Sequence, residues 1–196
     1  TGVNRNPALT GVADQKLADV LEWLGTNDPW NHCLDFAAPR RDRDAERAIS
    51  RYLARNYPAH AIVGEEHGGR DGDGSSALRW VIDPIDGTKN FVHGSADHAV
   101  MVAELRDGRV ERSWIWHPQH LSAYVAERGL GASRNDVQIF RSVPPPRPLD
   151  WRGVTARRAW VGRELPGLKP LELTWVCSGV DFPQLIRGSA DFVVYA

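Results

Sequence analysis

The chain has 196 residues, 42% hydrophobic and 25% charged, with a formal net charge of -1. That composition is globular, and the near-neutral balance excludes a partner recognised through a global basic field, nucleic acid above all. No apolar run approaches the ~20 residues of a membrane helix, and Thr1-Gly2-Val3-Asn4-Arg5 opens no leader pattern, so the expected location is the cytoplasm.

In chain order, residues 7–25 place Leu9, Val12, Leu17, Val20, Leu21 and Leu24 at roughly helical spacing, closed by Gly25. A second helix is predicted from about Asp42 to Tyr57, with Ala45, Ile49, Leu53 and Ala54 on one stripe and Pro58 stopping it. Ala61-Ile62-Val63 reads as a short buried strand, and the Gly-rich stretch 67–77 as a mobile loop. Trp80-Val81-Ile82 is a second strand, ending at Asp83. Val100–Leu105 and Val110–Trp116 form a hairpin turned at Asp107-Gly108, continued by a strand over Leu121–Ala126. Pro144-Pro145-Pro146-Arg147-Pro148 is the predicted linker, dividing residues 1–143 from a smaller unit at 149–196. Beyond it come strands near 151–156 and 171–176, a helix over 179–188 and a strand at 191–195. This order argues for layered α/β (α+β) structure. Cys33 and Cys177, far apart and without a Cys/His cluster, read as reduced thiols.

The chemistry concentrates in Asp83-Pro84-Ile85-Asp86-Gly87-Thr88. An apolar strand delivers two carboxylates three residues apart, with Pro84 fixing the chain between them. Such a loop can aim Asp83, Asp86 and the Ile85 carbonyl at one point, and hard cations such as Mg²⁺ take oxygen ligands of this kind. Gly87 permits close backbone approach, and a helix opening at Thr88 would offer free N–H groups to a phosphate. The competing reading is an Asp-Gly turn with no further role. Gly64-Glu65-Glu66 follows the preceding strand, so its carboxylates can pool with the first pair at one sheet edge, where one Glu can bridge cations or hold a water. Alone, a Glu-Glu pair is ordinary solvated surface.

Gly64-Glu65-Glu66 followed by Asp83-Pro84-Ile85-Asp86-Gly87-Thr88-Lys89-Asn90-Phe91 resembles the signature of the inositol monophosphatase family. The resemblance implies an alternating α-β-α-β-α sandwich and a Mg²⁺-dependent phosphomonoesterase using two or three ions. It implies Glu65, Asp83, the Ile85 carbonyl and Asp86 as metal ligands, with Glu66 as an auxiliary carboxylate. The Gly87 and Thr88 N–H groups would contact phosphate. Thr88, paired with Asp42 of Asp42-Arg43-Asp44-Ala45-Glu46, would hold the attacking water together with Glu65. The stretch Ala38-Pro39-Arg40-Arg41 departs from the family's Val-Thr before that Asp, so a plain helix N-cap stands as the alternative for Asp42. The resemblance also implies a homodimer, lithium sensitivity and a small phosphorylated substrate: inositol monophosphate or a similar polyol or sugar phosphate, with histidinol phosphate, fructose 1,6-bisphosphate and a 3'-phosphonucleotide as alternatives.

The family's second motif, Trp-Asp-x-Ala-Ala-Gly or a variant, carries a further metal ligand. It falls due where this sequence reaches Val193-Val194-Tyr195-Ala196. The expectation is a longer natural chain; its rival is a short paralogue with impaired catalysis that binds metal or a partner. His93, His98, His117 and His120 are read as structural or surface residues. In Arg40-Arg41-Asp42-Arg43, interleaved acids cancel the basic charge, which argues against nucleic acid.

Overall fold

The computed structural model describes residues 38–195, with side chains from Arg43 onward. The helix expected at 7–25 and Cys33 lie outside the described residues. The first described element is helix α1 (Ala38–Asn56). Its stripe of Ala45, Ile49 and Leu53 is buried, at spacings of four. Tyr57 still donates its N–H to the Leu53 carbonyl at 2.7 Å, and Pro58 cannot extend the helix.

A large sheet follows: β1 (Ala61–Gly64), β2 (Gly68–Arg70), β3 (Leu78–Asp86), β4 (Ala99–Arg106), β5 (Arg109–His117), β6 (Ser122–Glu127), β7 (Gly131–Arg134) and β8 (Val137–Ile139). The order is β2-β1-β3-β4-β5-β6-β7-β8; β1 and β3 are parallel and every other pair is antiparallel. Alternate residues Trp80 and Ile82, Val100 and Val102, and Trp114 and Trp116 form one buried cluster with the α1 stripe. A fully buried Leu such as Leu53 contributes about 1.5–3 kcal/mol by leaving water.

The opposite face carries Ala99, Met101 and Ile115, which pack against Trp175, Cys177 and Val180 at the start of a later helix. That helix is α3 (Ser178–Arg187); the short α2 (Thr88–Val92) lies between β3 and β4. A second sheet of β9 (Gly153–Thr155), β10 (Glu172–Leu173) and β11 (Phe192–Val194), all parallel, has the order β10-β9-β11. Gly153 is required there, because a Cβ would lie 2.1 Å from the Phe192 ring. α3 touches β4 of the large sheet and β11 of the small one, so helix and sheet layers alternate as expected. None of the described helices is long and apolar enough to cross a membrane.

Three local differences have physical causes. The Gly-rich stretch at 67–77 is not all loop, because Gly68–Arg70 pairs with β1. β3 does not stop at Asp83 but runs through the motif to Asp86. β7 and β8 form an additional hairpin in which Asn135 (φ 47°) and Asp136 (φ 63°) take the left-handed conformations a two-residue turn needs. The expected Asp107-Gly108 turn has the same geometry, with φ 50° and 76°.

Candidate functional site

Gly64 on β1 and Ile82 on β3 are direct partners in the parallel ladder, so Glu65, just past the end of β1, follows abreast of Asp83, which stays in β3. Asp83 Oδ1 is buried and has no hydrogen-bond partner among the described residues. Burial, then the negative charges of Glu65 and Asp86, push the Asp83 carboxyl up to about 8. Glu65 also comes close enough to share its proton. Like charges held this close in a half-buried position call for a cation or a proton. The described residues contain no group of three His, Cys, Asp or Glu side chains already converged for metal binding.

A bulge shapes the next step. Asp83 pairs with Met101 and Asp86 with Ala99, three steps on β3 against two on β4. Pro84 sits in this bulge, where its missing N–H costs no ladder bond. The Ile85 N–H turns to the Asp83 carboxylate. The Thr88 hydroxyl donates to the Ile85 carbonyl at 3.0 Å. Gly87 begins α2 with φ 80° and ψ 38°, and a Cβ there would lie 3.0 Å from Cys177 Cβ and 3.1 Å from the Asp97 carbonyl. Both conformation and space demand glycine. Asn90 then ties this turn to the rest of the site, donating to the carbonyls of Asp97 (2.8 Å) and Trp175 (2.7 Å).

Asp86 is held from across the chain by the first turn of α3. Its carboxylate accepts Ser178 Oγ (3.2 and 3.1 Å), Cys177 Sγ (3.1 Å) and the Gly179 N–H. It thus acts as the helix's N-cap acceptor, a role that Cys177 at the cap position does not fill with its own side chain. Cys177 is a free, buried cysteine, and burial followed by the charge of Asp86 pushes its thiol far above the ordinary range, so it stays protonated and donates.

The same helix contains Pro183. Pro183 has no N–H for the carbonyl four residues earlier, that of Gly179. His117 Nε2 lies 2.8 Å from that oxygen and supplies the bond. Burial lowers the His117 pKa, so the ring is neutral, with its hydrogen on Nε2.

Beneath the Gly64-Glu65-Glu66 turn lies a residue given no role by the sequence, Glu46 of α1, only 1% exposed. Its carboxylate accepts the backbone N–H groups of Glu66 (2.7 Å) and His67 (2.9 Å). A Cβ on Gly64 would lie 2.2 Å from this carboxylate, which explains the glycine. The signal was legible: Glu46 shares the apolar stripe with Ile49 and Leu53, three and seven residues on.

Glu65, Asp83, Asp86, Gly87 and Thr88 are therefore neighbours, and the Ile85 carbonyl already accepts the Thr88 hydroxyl. Glu66 turns away toward Arg43, 3.7 Å from its Nε. Asp42 belongs to α1, but its side chain lies outside the described residues. Of the four histidines, His98 is buried edge-on to Phe91 and His93 Nδ1 sits 2.6 Å from the Lys89 carbonyl.

The fold and this edge of carboxylates place the chain among layered α+β proteins with an acidic edge at the end of a parallel strand pair. The profile of the inositol monophosphatase family matches residues 35–167, and the chain belongs to that family. A protein named Nus factor SuhB from Pseudomonas aeruginosa is 45% identical over 99 residues, which cover 50% of this chain and 36% of that protein. An inositol-1-monophosphatase from Rhizobium meliloti is 42% identical over 99 residues, again 50% of this chain and 36% of that protein. These matches thus span little more than a third of the relatives' length. Among solved structures, the extragenic suppressor protein SuhB from Bartonella henselae superposes with a TM-score of 0.76 at 25% identity, covering 93% of this chain and 76% of that one. Inositol monophosphatase-II from Staphylococcus aureus gives 0.73 at 21% identity, covering 93% and 75%. Both the expected family and the layered α+β fold are met.

Proposed function

We propose that this protein is a Mg²⁺-dependent phosphomonoesterase acting on inositol monophosphate or a similar small polyol or sugar phosphate. The observation that carries this reading is the buried, unpartnered Oδ1 of Asp83 between the carboxylates of Glu65 and Asp86. An all-oxygen, multiply acidic donor set fits a hard divalent cation. Glu65, Asp83, the Ile85 carbonyl and Asp86 would hold two or three Mg²⁺. The bound ions would lower the pKa of a coordinated water and neutralise the charge of the ester.

The chain's own groups orient the reactants. Thr88 gives its hydrogen to the Ile85 carbonyl, so its oxygen lone pairs can accept from the attacking water. Asp42 is assigned beside it as the second acceptor, on the family resemblance. Glu65, just past the end of the neighbouring strand β1, orients the same water. The N–H groups of Gly87 and Thr88, at the open start of α2, would contact phosphate. Glu66 has an auxiliary role at the rim. The reading takes the protein as a cytoplasmic homodimer, its assembly checked by sedimentation velocity.

The test is Mg²⁺-dependent phosphate release, with EDTA controls, from inositol monophosphate, histidinol phosphate, fructose 1,6-bisphosphate and a 3'-phosphonucleotide. Absence of turnover on all four would sink the enzymatic reading. A second reading, a non-catalytic relative that binds a partner, draws on the hydrogen bonds that already engage the Asp86 carboxylate and on the relatives named Nus factor. It predicts Mg²⁺ binding or none, and no phosphate release in either case.

A further inference from the structure

On the α3 side of the large sheet lies a cavity of about 230 Å³ lined by Asp97, His117, His120, Ser122, Arg134 and Arg187, among others. None of Glu65, Asp83, Asp86 and Thr88 lines it, although Asp97, Trp175 and His117 also border the Asn90 turn and the start of α3. Gln184 and Arg187 continue along α3 from Val180, and eight residues of helix set Arg187 about 12 Å along the axis from Gly179, whose N–H holds Asp86. The cavity is smaller than the roughly 300–1,000 Å³ of sites for drug-sized molecules, so it suits an ion or a fragment-sized ligand.

Its lining is cationic and preset. Arg134 donates Nε and Nη2 to Ser122 Oγ (3.3 and 2.8 Å), and its guanidinium lies 5.8 Å from the centre of the Tyr124 ring, so it is held in place while part of its fork stays open. Arg187 lines the same cavity, and its side chain makes no hydrogen bond or ion pair with any described residue. The lining holds one carboxylate, Asp97, whose Oδ1 lies 3.6 Å from His120 Nε2. Two guanidinium groups thus line one small polar cavity that holds a single carboxylate. Arg forks of this kind match oxyanions bidentately.

We infer that this cavity is a second anion site, independent of the metal edge, and that it takes a phosphate-type oxyanion. The anion is either free or the terminal group of a small organic ester. Arg134 and Arg187 grip it, with the His120 ring at the mouth.

The test is calorimetric titration of the full chain with inorganic phosphate in EDTA, which removes any route through bound Mg²⁺. Saturable binding is expected. Arg187→Gln, on an exposed side chain and so harmless to the fold, should weaken it about tenfold or more, the loss of one charge-assisted contact. Asp83→Asn should leave it unchanged, and adding Arg134→Gln to Arg187→Gln should abolish it. Glycerol 2-phosphate identifies the source of the anion: tighter binding than phosphate supports an ester ligand, and weaker binding supports the free ion. No saturable binding in EDTA, binding indifferent to Arg187→Gln, or binding lost with Asp83→Asn would each overturn the inference.

Discussion

The carboxylate of Asp86 accepts the backbone N–H of Gly179, 93 positions later in the chain. One side chain thereby ends the motif strand and starts α3. Asp86→Asn should therefore have two effects. Exchanging a charged cap acceptor for an amide should lower the unfolding free energy by about 1–2 kcal/mol in urea denaturation. It should also remove Mg²⁺-dependent phosphate release. Loss of release with unchanged stability would mean that the cap is energetically idle.

His117 stands in for the hydrogen that Pro183 lacks. His117→Ala should leave the Gly179 carbonyl unpaired and cost about 1–3 kcal/mol. In a Pro183→Ala background, the restored N–H at position 183 can reach that carbonyl, and the same His117→Ala change should cost less. Urea denaturation of the four proteins gives the coupling directly. Additive costs would show that the histidine does not complete the helix ladder.

Glu46 holds the Gly64-Glu65-Glu66 turn from below. Glu46→Ala strands two backbone N–H groups and should cost about 2–4 kcal/mol. Phosphate release should fall about 10–100-fold, as is usual when the groups that orient metal ligands are lost. Gly64→Ala, which pushes a methyl into the same carboxylate, should do similar harm, about 1–3 kcal/mol. Chemical denaturation and the release assay read both.

Asp83 predicts a pH signature for the metal-free protein. Its folded value, about 8, lies above its unfolded 3.8, so between those limits the folded state keeps a proton that the unfolded chain has released. Stability from this group is therefore lost as pH rises through that window. Thermal unfolding in EDTA should show wild type losing ground to Asp83→Asn from pH 5 to 8. Mg²⁺ displaces that proton, so the stabilisation it gives wild type should grow over the same range.

What was legible in the sequence follows from where the signals lie. The motif residues, α1 and the Asp107-Gly108 hairpin carry strong local chemistry, and the helix and the hairpin fall where expected. β2 escaped because Gly68-Gly69-Arg70 is exposed throughout and has no apolar alternation. The length of β3 was hidden by Pro84, which normally argues against a strand interior but sits here in a bulge. The second hairpin turns on Asn135-Asp136 without a glycine. Glu46 was masked by its neighbours: within Asp42-Arg43-Asp44-Ala45-Glu46 it looks like one more solvated acid, and only its place on the α1 stripe marks it as buried. The His117–Gly179 contact joins segments 62 residues apart, and the cavity beside α3 is likewise built from segments distant in the chain, which no local pattern encodes.

From β3 to β8 the strands lie side by side in the order in which they occur along the chain. Contacts between sequence neighbours close small loops, whereas docking α3 onto Asp86 closes one of about ninety residues, at a larger entropic cost. The meander therefore has the advantage in forming early, and the α3 clasp joins a surface already built. In the native ensemble the order should reverse, with the amides of α3 expected to exchange with solvent through smaller openings than those of β4 and β5, which native-state hydrogen exchange checks. A ligand that engages Asp86 locks a latch, and its footprint in hydrogen exchange should extend along α3 to residues it never touches.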